Sequence, residues 1–546
     1  MFLFQSLRSS AIKPKNVFFF GLIALFFLYL PCYKAKFFSD YLSWAKVYHD
    51  QGWSGIGNNF GDVSLKYTYH AVMYAGYAIL GWSAMGWFVF LTMLYALTTA
   101  MLYRFVERLL NLFNYDEAQK VALCTAAFFI VFPYQSEVIV WAAAIHYLIA
   151  VILSLGILLL LLKYLASSRN AWQVVGILAL FIVAMFATEV IIALPLVICI
   201  IGVVAKLNKV TTLSIAKLCY CIVLPCILVI VAFFGLTYQK FGNAVGHYGS
   251  DTHLKLDWGI WAAGYIKYVL KFVFLVRYWP LSWASLINWI TQPTPAICIV
   301  IVFLCVLAII LIKQYKSQKR ISAAMLLWLL FSISLLPVLN LHTPFMSTLE
   351  SDRLGYFASA FYIALLATIL MSIKSLFWRR LLVVLMFILF LVASIRNVGV
   401  WRFNGKAYYN LLETFPVNVS GTVYVLDVAD DYKGAYFLRM GLPEAVFFYY
   451  KNKQEHLPHI EVVASSNYFE KDNTVNVTSN NRDSFKVIVN TWGRWFIYLN
   501  PATDNSYEVK PNDQYFEYDL RIFNRSPQDK VIYQKGTEWV EIPYKP

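Results

Sequence analysis

At 546 residues, the chain is 60 % hydrophobic and only 14 % charged, with a mean hydropathy of +0.60. Water-soluble globular proteins carry nearer a quarter charged residues, so a soluble fold is excluded. The net charge of +15 does not report nucleic acid, because residues 1–403 hold thirty Lys or Arg against twelve Asp or Glu, whereas 404–546 hold fifteen against eighteen.

In chain order, eleven apolar stretches lie near 17–30, 88–103, 121–133, 148–162, 172–187, 190–205, 215–236, 296–312, 323–339, 354–373 and 381–393. Each supplies most of the roughly 20 residues that a helix needs to cross a bilayer. Stretch 67–81 reads either as a further span or as a surface helix. The basic N-terminus and first apolar run resemble a signal peptide but lack a small-residue cleavage site, which predicts a retained first helix. With that terminus cytoplasmic, the loops 8–15, 104–120, 163–169, 206–217, 313–320 and 374–380 carry eighteen basic and three acidic residues, against twelve and nine on the other side. Positive charge collects on the cytoplasmic side of membrane proteins, so 33–70, 237–295, 340–353 and the tail are expected outside, in the periplasm of a bacterial inner membrane.

Residues 1–400 thus read as a transmembrane module, and 401–546 as a soluble, β-rich extracytoplasmic domain. Short β-branched or aromatic runs at 422–428, 445–450, 460–464, 485–490, 495–499, 515–520, 531–533 and 539–542 are separated by Asn, Asp, Gly and Pro, as strands are. The fold class is an α-helical polytopic membrane protein with a C-terminal β-rich domain. All eight cysteines lie in or beside apolar stretches without metal-ligand spacing. No metal, no nucleotide loop and no nucleic-acid partner is expected.

Carboxylates are so scarce in the apolar region that each is a candidate. Asp40 stands just beyond the first stretch, ahead of a segment (41–48) suited to an interfacial helix. Its bland reading is a solvated aspartate paired with Lys36 or Lys46. In Phe132-Pro-Tyr-Gln-Ser-Glu-Val-Ile-Val-Trp141 a helix breaks at proline and another departs with Glu137 in its first turn, where the helix dipole favours an acid. His146 follows about nine residues on, roughly 13 Å deeper at about 1.5 Å per residue; a hydrogen-bonded packing role is its alternative. Glu189 ends the fifth stretch. The late loop carries His342, Glu350, Asp352, Arg353 and Tyr356. Arg353 suits a phosphate, which a guanidinium binds bidentately, or else pairs with Asp352 or Glu350. Lys271 and Arg277 are further phosphate candidates.

These features together resemble the GT-C superfamily of integral-membrane glycosyltransferases: an early loop aspartate, the 133–141 segment, then Leu-Pro-Val-Leu-Asn-Leu (336–341) and Asp-Arg-Leu-Gly-Tyr (352–356). The likeness is to the branch of protein O-mannosyltransferase-like proteins. It implies Asp40 as catalytic acid/base, Glu137 as the second acidic residue, and Arg353 on the lipid-phosphate side. The chain departs from that branch at Ala142-Ala-Ala-Ile-His-Tyr147, where a charged cluster is usual, and in its β-rich tail.

The expected activity is inverting transfer of a sugar from a polyprenyl-phosphate donor to an envelope glycan such as an O-antigen repeat, a lipid or a protein. Separate proteins would make and flip the donor. Asp40 would act as base, Glu137 as organiser, and Arg353, His342, Lys271 and Arg277 as phosphate holders. The alternatives are a glycan polymerase or ligase, which would want an arginine-rich outer loop where 237–295 offers only Arg277, and a secondary transporter or flippase, which would show buried charges on discontinuous helices.

Overall fold

A computed structural model describes the chain except for residues 1–11, 57–64, 169, 244–256, 319–320, 340–345, 439–440, 468–474, 490–494, 501, 503–504, 513–515 and 545–546. The protein is a polytopic helical membrane protein followed by a C-terminal β-rich domain. Among the described residues, eight helices are long and apolar enough to cross a membrane: Pro14–Cys32, Ala84–Leu112, Ala142–Ala166, Glu189–Leu207, Ile215–Phe241, Pro293–Lys313, Asp352–Met371 and Leu376–Glu413. A ninth is reached if Ala118–Ile130 and Pro133–Val140, bent by 65°, count as one span.

All eleven apolar stretches are helical, but the expected count of eleven spans is not reached. Ala171–Met185 and Ala323–Leu339 have 15 and 17 residues, about 23 and 26 Å of helix against a hydrocarbon core of roughly 30 Å. The first is stopped short by its ends, an Asn170–Gln173 capping box and a turn at Thr188–Glu189. Tyr67–Leu80 is a 14-residue helix outside the candidate spans. The predicted interfacial helix is present as Asp40–Gln51.

Leu376–Glu413 runs unbroken for 38 residues, so the expected boundary at 400 falls inside a helix. Beyond it stand β1 (Thr422–Val425), β2 (Val428–Ala429), β3 (Asp431–Tyr432), β4 (Ala435–Tyr436), β5 (His459–Val462), β6 (Ala464–Ser466), β7 (Asn476–Asn481), β8 (Ser484–Ile488), β9 (Phe496–Leu499), β10 (Tyr507–Pro511), β11 (Glu517–Ile522), β12 (Lys530–Lys535) and β13 (Glu538–Ile542). One sheet has the order β13-β12-β1-β5 with β1 parallel to both neighbours. A second, antiparallel sheet is ordered β10-β11-β8-β7, and a third β2-β6-β9. The run 445–450, expected as strand, lies in the helix Leu442–Tyr450: Pro443 at its start and its buried face of Leu442, Ala445, Val446 and Phe448 outweigh the β preference of the aromatics.

The domain reaches the helical bundle through the helix Leu442–Tyr450, whose Phe448 ring stacks 4.5 Å from Trp82, and through the β3–β4 hairpin. The hairpin tip, Gly434 (φ 80°), lies against the backbone of Leu349 and Glu350, a space that a Cβ would fill. Leu349 N–H donates to Lys433 O at 2.9 Å. Asn404 of the last helix donates to Ala435 O and Tyr436 O at 3.1 and 2.5 Å, and Ser39 N–H donates to Phe437 O at 3.2 Å. One core cluster runs from the first helix through the bundle to this hairpin.

Candidate functional site

The site begins with the broken helix. After Ile130 the chain turns at Pro133–Gln135, makes five helical residues, Ser136–Val140, and breaks again at Trp141 (φ −91°, ψ 115°) before Ile145–Lys163. The first interruption is the one expected at Pro133; the second falls within the segment read from sequence as one departing helix. The rise of 1.5 Å per residue therefore does not carry from Glu137 to His146, and the depth expected for His146 does not apply. His146 lies in the first turn of the next helix.

Breaking the helix frees backbone groups that other segments complete. Ala142 N–H donates to Lys36 O at 3.2 Å, Trp141 Nε1 donates to Phe38 O at 3.0 Å, and Lys36 Nζ donates to Ile139 O at 3.1 Å. The loop after the first span is thereby tied along the break. Lys36 is fully buried, and burial pushes its ammonium down to about 8.

Glu137 is fully buried and faces the turn Asp352–Gly355 that opens the next-to-last span. Its Oε2 accepts from Arg353 N–H at 2.8 Å, and its Oε1 pairs with the Arg353 guanidinium. That guanidinium also stacks 5.2 Å from the Trp141 ring and 5.4 Å from the Tyr436 ring, with the Tyr436 hydroxyl at 3.4 Å. Arg353 thus pairs with Glu137 instead of Asp352 or Glu350.

Asp352 turns the other way. It accepts a bidentate pair from Arg277 (2.8 and 2.7 Å) and lies 2.5 Å from Lys271 Nζ. Lys271 is in the last turn of the Trp258–Phe274 helix, and Arg277 in the turn Val276–Tyr278. Left-handed Leu275 (φ 53°) between them bends the chain so that both cations meet one carboxylate. The Tyr134 ring lies 5.4 Å from Lys271 Nζ and 4.7 Å from the Arg277 guanidinium. The network holds two carboxylates, Glu137 and Asp352, and three cations, a surplus of one positive charge.

Exposure separates these cations. Lys271 and Arg277 are 0 and 5 % exposed at the side chain, whereas Arg353 keeps 18 %. The first two are sealed onto Asp352; of the three, Arg353 is the most exposed. Tyr356 is fully buried between Tyr95 and Phe129. His342 lies outside the described residues.

Asp40 is exposed, in the first turn of its helix, and accepts from Ser39 Oγ at 3.1 Å. Its expected partners are engaged elsewhere, Lys46 with Asp50 and Lys36 with Ile139 O. Ser39 (φ 49°) and Ser351 (φ 64°) immediately precede Asp40 and Asp352 in backbone conformations that L residues rarely adopt, a form of strain that gathers at functional sites. Two short routes link Asp40 to Arg353: Ser39 to Phe437 and its neighbour Tyr436, and Phe38 to Trp141.

Beside this lies a polar group that the sequence reading did not assemble. His146 Nδ1 is 2.9 Å from Ala143 O, and its ring packs on Tyr69 and Tyr147. His70, buried under Trp44 and 3.3 Å from the Tyr48 hydroxyl, is pushed down to about 3 by burial and then by Lys66. Lys66 lies 3.5 Å from Glu189. Tyr436, Lys66 and His70 carry no motif; Tyr436 joins the site from 83 residues beyond Arg353, a separation no local pattern bridges. Among the described residues no group of three or more His, Cys, Asp or Glu is placed to hold a metal ion.

Comparison with protein-family models, with curated proteins and with solved structures finds no match for this chain.

Proposed function

We propose that the chain is an inverting glycosyltransferase that draws a sugar from a polyprenyl-phosphate donor and passes it to an envelope acceptor on the face bearing the β-rich domain. The observation that carries this reading is the convergence at one end of the bundle. An exposed carboxylate beyond the first span follows a loop whose Lys36 and Phe38 are hydrogen-bonded to a broken helix, and the buried acid of that helix positions a partly exposed arginine. Such a donor keeps its phosphate and sugar at the membrane surface, because the lipid tail anchors it there.

In this reading Asp40 takes the proton from the acceptor hydroxyl as its oxygen bonds to the sugar C1. The C1–O bond to phosphate breaks, and the polyprenyl phosphate leaves with the electron pair. General-base help of this kind is worth roughly 10²–10⁴-fold. Arg353 holds the departing phosphate, oriented by Glu137, Trp141 and Tyr436. Lys271 and Arg277 act one layer back: they fix Asp352, and with it the turn carrying Arg353, and leave the network one positive charge in excess toward the phosphate. The test is Asp40→Asn in membranes supplied with a labelled polyprenyl-phosphate hexose. Loss of transfer at normal protein level supports the assignment, and undiminished transfer removes Asp40 as base.

A second reading, a secondary transporter, is favoured by the 65° break beside a buried ion pair, since discontinuous helices with buried charge mark many transporter sites. Uptake of a labelled substrate into vesicles, abolished by collapsing the ion gradient, would decide for it.

A further inference from the structure

The first and last spans lie side by side and close tightly where Gly405 meets Ala35: a Cβ on Gly405 would stand 3.2 Å from both the Cβ and the N of Ala35. Above this contact a groove of about 410 Å³ is lined by Leu30–Ala35 on one side and Arg402, Gly405 and Lys406 on the other. Lys34, Arg402 and Lys406 are all exposed. Lys34 Nζ rests 5.2 Å from the Tyr409 ring, and none of the three is ion-paired to a carboxylate among the described residues. Arg402 and Lys406 are four residues apart on one helix, an arrangement of like charges that is mildly unfavourable in the absence of an anion.

What leads up to the groove identifies the anion. On the last helix Ile388, Val392 and Ile395 are exposed, and the same face continues through Gly399 to Arg402 and Lys406, at the three- and four-residue spacing of one helical face. On the first span Phe20, Ile23 and Phe27 are exposed, and that face continues through Pro31 to Lys34. Two apolar tracks made for acyl chains therefore end in cations around one groove. Arg402 lies about 10 Å beyond Ile395 along the helix axis, the step from hydrocarbon to headgroup.

We infer that Lys34, Arg402 and Lys406 form a binding site for the phosphodiester headgroup of an anionic bilayer phospholipid, with its acyl chains along the exposed faces of the first and last spans. The site is separate from the Glu137–Arg353 network and does not depend on the reaction proposed above.

The test is native mass spectrometry of the purified full-length chain in detergent, titrated with dioleoyl-phosphatidylglycerol and, in parallel, dioleoyl-phosphatidylcholine. Each surface cation contributes roughly a fivefold gain in affinity for an anionic lipid. Lys34→Gln, Arg402→Gln and Lys406→Gln together should weaken phosphatidylglycerol retention on the order of 100-fold, with phosphatidylcholine unchanged. Should the triple variant fail to fold, Lys406→Gln alone is read against an expected loss of about fivefold. Unaltered phosphatidylglycerol retention in a folded variant overturns the site. Displacement of the lipid by millimolar inorganic phosphate would show a soluble anion as the ligand and overturn the lipid assignment.

Discussion

Replacing Glu137 by Gln keeps the volume of the side chain but removes its charge at a fully buried position. The amide retains one acceptor where Oε2 takes the Arg353 N–H at 2.8 Å, yet it sets an NH₂ against the guanidinium or against that N–H. Breaking a buried pair by removing one partner costs about 3–5 kcal/mol, because the other charge is left uncompensated, whereas removing both with apolar replacements is often close to neutral. Tyr436 and Trp141 remain against Arg353 as weak partners, which points to about 3 kcal/mol, the lower end of that range. Arg353→Met should cost a similar amount, and the double variant much less than the two together, giving a coupling of about 2–3 kcal/mol. The assay is SDS-titrated unfolding of the full chain in mixed micelles, followed by tryptophan fluorescence. Single variants within about 1 kcal/mol of the parent, or a double variant equal to the sum of the singles, would refute the claim that this pair organises the site.

Tyr436→Phe should cost under about 1 kcal/mol, since the hydroxyl stands at 3.4 Å from the guanidinium; Tyr436→Ala should cost about 3–4 kcal/mol through the lost ring on Trp141 and Arg353. Thermal unfolding of both variants checks that order. At Gly441 (φ +90°) a Cβ would come within 2.5 Å of Leu42 Cβ, so Gly441→Ala should loosen the domain from the Asp40 helix by about 1–3 kcal/mol, read as faster hydrogen exchange across 431–438. His70 titrates near 3 in the fold against an ordinary 6.5. Below pH 6.5 the unfolded chain takes a proton that the folded chain refuses, so its stabilising share is full above that pH and falls as pH drops toward 3, by about 2 kcal/mol at pH 5. His70→Gln should flatten the acid limb of a stability-against-pH curve between 6.5 and 5; an unchanged slope removes His70 as its source.

Hydropathy made the helical bundle legible because burial in a bilayer leaves long apolar runs in the sequence. Pro133 announced one break in the helix near Glu137. The second, at Trp141, has neither proline nor glycine at it; it is sustained by the loop around Lys36 and Phe38, over a hundred residues earlier. Glu137, Arg353, Asp352, Lys271 and Arg277 were all singled out by charge in an apolar setting, which is why the network was found. The pairing was not, because which acid meets which cation depends on how three turns face one another across the bundle. The run 445–450 reads as strand because its aromatics favour strands locally, and the helix there is chosen by Pro443 at its start and by the packing of its buried face. Tyr436 was beyond reach for a similar reason: one tyrosine among 37 gains its role solely from a hairpin tip seated on Leu349 and Glu350.

The last helix gives that hairpin a mechanical setting. At 38 residues it is a rod of about 57 Å, nearly twice what a hydrocarbon core requires, and the excess is clamped to the β3–β4 hairpin through Asn404. A domain on a floppy tether can wander without consequence for the bundle, but one bolted to such a rod cannot. Any push on its surface, from a large acceptor or a neighbouring protein, becomes a tilt of the rod and a displacement of Tyr436 from the arginine beneath it.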